Sequence, residues 1–151
     1  MNLNEKLSIF VGNWELETND NLEEFLKFYE YNWFSIKAAL LASVHVNFSK
    51  SVSENSLNRT VFSTFLKGSE KYIFDKEFRL NSENLNKRHS LIENRLGEFV
   101  INSEIVKKDN NLINWREQVK IENNKLHLSR FWNVGNTEYS CKQIFKKILE
   151  N

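Results

Sequence analysis

The sequence predicts a mainly β protein, an antiparallel barrel or sandwich entered through one strand and two helices, and three observations predict it. From residue 44 to residue 147 apolar side chains tend to recur at every second position, the period of a half-buried strand. Clusters of Asn, Asp, Ser and Gly break that pattern at short, regular intervals, as turns between neighbouring strands do. Between residues 20 and 42 the spacing lengthens to that of amphipathic helices, about 3.6 residues.

Composition frames these elements. A chain of 151 residues with 40% hydrophobic and 27% charged content suits a single domain over 1–151 with a substantial core. Twelve Phe and four Trp are many for that length, and so much aromatic surface must be buried somewhere. The net charge of +1, with Lys and Arg scattered among acids, argues against a nucleic-acid partner. Cys141 stands alone, which excludes an intramolecular disulfide and suits a reducing compartment. The N-terminal MNLNEKLSIFVGNWEL has no basic-then-apolar leader, so the expected address is cytoplasmic.

Residues 9–18, IFVGNWELET, read as the first strand. Asp20 then offers an N-cap with Glu23 three residues on, which predicts a helix over 20–30 whose apolar face is Leu22, Phe25, Leu26 and Tyr29. A second helix over 32–42 follows, with Trp33, Ile36, Lys37 and Leu40 at helical spacing and Ala38, Ala39 and Ala42 keeping it slim. Strands are expected near 44–52, 57–66, 69–75, 85–93, 98–107, 112–121, 125–133 and 138–147. The turns between them fall at 53–55, Lys67-Gly68, 81–84, Gly97, 109–111, Asn123-Asn124 and Gly135-Asn136.

Asn123-Asn124 is the strongest register signal, because Asn tolerates the positive φ that a two-residue hairpin turn requires. A turn there sets Ile121 against Leu126, Val119 against Leu128, Glu117 against Arg130 and Trp115 against Trp132. The alternate positions, among them Lys120 with His127 and Gln118 with Ser129, form the solvent side. Glu117 and Arg130 therefore point inward as direct cross-strand partners. Two readings fit: an ion pair that neutralises itself near a rim, or a polar group set inside a cavity where a ligand head engages it.

FVGNWEL at 10–16, followed by the helix pair, STF at 63–65, FDKEF at 74–78 and KQIFKK at 142–147, resembles the intracellular lipid-binding proteins, the family of fatty-acid-binding and cellular retinoid-binding proteins. The resemblance covers roughly residues 8–148. It implies a ten-stranded antiparallel up-and-down barrel in two orthogonal sheets, capped by a helix-turn-helix between the first two strands. It implies also that a long-chain fatty acid, retinoid or similar lipid is held inside, that the chain is monomeric and non-enzymatic, and that it needs neither cofactor nor metal.

The family's usual carboxylate anchors, an Arg on the antepenultimate strand and an Arg-x-Tyr pair on the last, correspond here to Val119, Gln143 and Phe145. Gln143 is similar to the retinol-binding branch. Arg130 is the remaining cationic candidate, with Glu117 as its counter-ion; such a neutralised pair implies a neutral or weakly polar ligand, or a fatty acid held without a strong ion pair. Trp115, Trp132 and Leu128 share its face, and Phe25 and Phe65 match family positions that line portal or cavity. Trp14 is expected in the core at the barrel bottom. Lys27 and Lys37, on the outer helix faces, mark where family members approach acidic membranes. His45, His89 and His127 are dispersed, and no HExxH, GxSxG or Gly-rich phosphate loop supports an enzyme. The rival expectation is a barrel-type interaction or structural module whose core is filled.

Overall fold

A computed structural model describes residues 7–28, 31–50, 56–63, 67–73, 78–81, 86–95, 97–106 and 112–149. Strand β1 (Gly12–Asp20) leads into helices α1 (Leu22–Phe28) and α2 (Trp33–Leu41). Nine strands follow: β2 (Val44–Lys50), β3 (Ser56–Ser63), β4 (Lys67–Ile73), β5 (Phe78–Asn81), β6 (Asn86–Arg95), β7 (Glu98–Val106), β8 (Leu112–Glu122), β9 (Lys125–Val134) and β10 (Thr137–Lys147). All ten belong to one sheet in the order β4-β3-β2-β1-β10-β9-β8-β7-β6-β5, each pair antiparallel. This is an up-and-down meander joined through β1 and β10, with β4 and β5 at the two ends of the order.

The sheet curls, because residues far apart in that order meet inside it. Phe48 of β2 packs edge-on to Phe99 of β7, with ring centroids 6.5 Å apart, and Tyr72 of β4 reaches the same ring at 6.3 Å. Leu7 and Phe10, which precede β1, are fully buried in this first core with Trp14, Val119 and Leu126. The Trp14 indole N–H donates to the Phe10 carbonyl at 2.9 Å, so the aromatic payload is buried with its polar handle satisfied. Ile9 and Phe10 therefore lie in a turn rather than in the first strand, which begins at Gly12. Gly12 itself has φ +135°, and a Cβ there would stand 3.0 Å from the Lys147 side chain.

Both helices begin later than expected, at Leu22 and Trp33, and residues 29–30 of the first lie outside the described residues. Asp20 is the last residue of β1, paired with Lys142, so it does not cap a helix. Asn21 takes the left-handed turn (φ 62°), and its side-chain amide donates to the Ser140 carbonyl at 2.8 Å. α2 does carry an N-cap: Asn32 Oδ1 accepts from the Ser35 N–H at 2.8 Å. The proposed turn at Lys67-Gly68 lies inside β4, where Gly68 pairs with Val61. Strand β5 has four residues, too few for alternation to be legible in sequence. The hairpin register is as the sequence predicts, Glu117 opposite Arg130 and Trp115 opposite Trp132, with both turn asparagines at positive φ.

Candidate functional site

The inward face of β8 and β9 divides into three zones. Val119, Leu126 and Leu128 join the first core. At the other end Trp115 and Trp132 stack on each other, with centroids 5.7 Å apart, and Phe28 of α1 stacks on both at 5.7 and 5.4 Å. Between these two apolar zones lies the charged pair. The same α1 turn brings Phe25 over the Arg130 guanidinium, 4.5 Å from ring centroid to Cζ, a cation–π contact shielded from water.

Glu117, 2% exposed, is not held by Arg130 alone. Its Oε1 accepts a charge-assisted hydrogen bond from Nη1 of Arg59 on β3, across the interior. The Arg130 Nε stands 3.8 Å from Glu117 Oε2, within ion-pair range and beyond a hydrogen bond. Arg130 instead donates from Nη1 to Gln143 Oε1 at 2.8 Å, and Gln143 Nε2 donates onward to Asn19 Oδ1 at 2.9 Å. A β-bulge in β1 between Leu16 and Thr18 advances the register by one residue, setting Asn19 rather than Thr18 opposite Gln143. The tyrosine ring of Tyr72 lies 4.9 Å from Arg59 Cζ. Burial pushes the Cys141 thiol up from its ordinary pKa, while the adjacent Arg130 guanidinium pulls it partly back.

This polar chain borders a cavity of about 130 Å³ between helices and sheet. Arg59, Arg130 and Gln143 supply its polar wall, and Leu128, Phe145 and Phe25 part of its apolar wall. β2 and β3 contribute Val44, Val46, Val61 and Ser63, and the helices Leu22, Leu26, Ala39 and Ala42. A second, outer pocket of about 280 Å³ meets it at Leu26, Ala39 and Ser63 and is otherwise lined by Tyr31, Phe34, Ser35 and Ala38. The outer pocket alone is close to the lower bound for small-ligand sites, about 300 Å³. The arrangement suits an amphipathic molecule, its polar end on the arginines and its apolar part toward α2.

Five of the residues singled out in sequence, Arg130, Gln143, Phe145, Leu128 and Phe25, line the inner cavity. Glu117 sits among them as the partner of both arginines. Val119 is packed into the first core, and Trp115 and Trp132 are taken up by the stack under α1. Phe65 lies outside the described residues. Arg59 and Asn19 escaped the sequence reading: Arg59 in SLNRTVFS carries no partner signal, and Asn19 depends on the bulge. Lys27 and Lys37 are half-exposed on the helices, and both approach Glu23, at 3.9 and 3.8 Å. Among the described residues no cluster of metal-ligating side chains occurs, and no helix is long and apolar enough to cross a membrane.

No protein-family model matches the chain, and no curated protein sequence does. Solved structures do resemble it. REP1-NXSQ fatty acid transporter superposes with a TM-score of 0.77 at 14% identity, over 95% of this chain and 99% of that one. Caenorhabditis elegans lipid binding protein 8 gives 0.73 at 22% identity, over 94% and 97%. Human cRBP IV gives 0.72 at 22% identity, over 91% and 97%. The fold is that of the fatty-acid-binding and cellular retinoid-binding proteins, with antiparallel strands in a curled sheet and two helices after the first strand.

Proposed function

We propose that this chain is a non-enzymatic intracellular lipid-binding protein, which carries or buffers a hydrophobic ligand with a polar head, such as a long-chain fatty acid or a retinoid. The observation that carries this reading is the convergence of Arg59, Arg130 and Gln143 on one wall of an otherwise apolar cavity roofed by α1 and α2. Few polar groups in a mostly apolar concavity are what orients an amphipathic ligand. In this reading Arg130 and Gln143 meet the head, Phe25, Leu128 and Phe145 contact the adjoining chain, and the protein acts as a cytoplasmic monomer. Approach to acidic membranes would use Lys27, first released from Glu24 and Glu23, and Lys37, first released from Glu23.

The test is binding by delipidated protein, read by titration with a fluorescent fatty acid and with retinol, alongside mass spectrometry of an organic extract of the purified chain. Arg130→Ala and Gln143→Ala are each expected to weaken binding about tenfold, the worth of one lost hydrogen bond to a charged group. Unchanged affinity in both variants removes the head-group role. Protein that binds neither probe returns the filled-core alternative, which the stack of Phe28, Trp115 and Trp132 favours.

A further inference from the structure

We propose that Arg59 is a positioning residue that draws Glu117 off Arg130 and thereby makes Arg130 a receptor for a carboxylate-headed ligand in preference to an alcohol. The inference rests on the binding reading above and specifies its ligand class. Taken as a hairpin alone, β8 and β9 set one acid against one base, and Arg130 would be spent on Glu117. The curled sheet changes that partnership. Arg59 arrives from β3 and takes Glu117 Oε1 in a hydrogen bond, whereas Arg130 comes no nearer than 3.8 Å to the other oxygen.

Apart from that long ion pair, what Arg130 touches is neutral. Gln143 takes one of its five N–H groups, the Phe25 ring covers one face, and the Cys141 thiol abuts it. Among the described residues the guanidinium thus has no hydrogen-bonded anion and stays positioned at the cavity wall. A carboxylate can use the planar donor edge that remains, in a water-poor setting where charge-assisted bonds are strong. An alcohol brings no charge to that edge. Glu117, hydrogen-bonded to Arg59, compensates that arginine, while its other oxygen, 3.8 Å from Arg130 Nε, offsets only part of the Arg130 charge.

The experiment compares hexadecanoate with hexadecanol by calorimetric titration of the delipidated full chain. Wild type is expected to bind hexadecanoate about tenfold more tightly. Arg59→Met lets Glu117 turn to Arg130, and the ratio of hexadecanoate to hexadecanol affinity should fall about tenfold; the Arg59→Met/Glu117→Gln double variant should regain it. Arg59→Lys keeps a cation against Glu117 and should retain the wild-type ratio. If Arg59→Met does not fold, Glu117→Gln reads the same device: hexadecanoate affinity should rise several-fold and hexadecanol affinity should not. Equal affinity of wild type for both ligands, an unchanged ratio in folded Arg59→Met, no recovery in the double variant, or weaker hexadecanoate binding by Glu117→Gln each overturns the inference while leaving lipid binding intact. Binding of neither ligand by wild type overturns both.

Discussion

At the scale of single residues, the site is governed by who partners whom in a low-dielectric interior. Gln143 links Arg130 to Asn19 by using its amide as acceptor and donor at once, so one side chain orients a cation and ties two strands together. Cys141 shows the opposite side of burial. Desolvation raises its thiol pKa, and Arg130 offsets only part of that rise, so the reactive thiolate is scarce near neutral pH. Native protein at pH 8 is accordingly expected to react with a thiol reagent at least about tenfold more slowly than unfolded protein, measured by absorbance of the released chromophore. Equal rates would place Cys141 in solvent.

At the scale of elements, α1 is a lid fixed by aromatics more than by its own propensity. A seven-residue helix is too short to be stable by itself, and its stability comes from Phe28 stacked on Trp115 and Trp132. Phe28→Ala should cost about 3 kcal/mol, read as a fall in the urea midpoint, because the space it leaves against the two stacked indoles closes only in part. The β8–β9 turn is the other element decided by local chemistry. Asn124 sits at φ 62°, which Ala adopts poorly, so Asn124→Ala is expected to cost about 1 kcal/mol in the same assay.

At the scale of the whole molecule, the interior is partitioned. Among the described residues the first core fills one end with Leu7, Phe10, Trp14 and Phe48, the stack of Phe28, Trp115 and Trp132 lies under α1, and the inner cavity lies beneath both helices. The small Ala39 lies where the inner cavity meets the outer pocket. Ala39→Phe should therefore reduce affinity for any long-chain ligand about tenfold or more without lowering the melting temperature, since it fills space instead of removing contacts. Unaltered binding would mean that the ligand takes another route. Near the same outer pocket Trp33 and Phe34 stand 64% and 78% exposed, so the α2 face combines the opening with exposed aromatic surface.

Sequence by itself determined the order of one strand, two helices and a meander, because each element writes its own period into neighbouring residues. It determined too that Glu117 and Arg130 face each other inward, since a two-residue Asn-Asn turn leaves one register. It did not reveal the extent of the first helix, where Asp20 serves β1 and Phe28 supplies the anchor. Nor did it reveal Arg59, 58 positions from Glu117, or Asn19, whose place depends on a bulge. Local periodicity fixes which face a residue takes along its own strand. Which distant charge it meets is decided only when the sheet curls, and that meeting determines whether Arg130 is already neutralised or is left to a ligand.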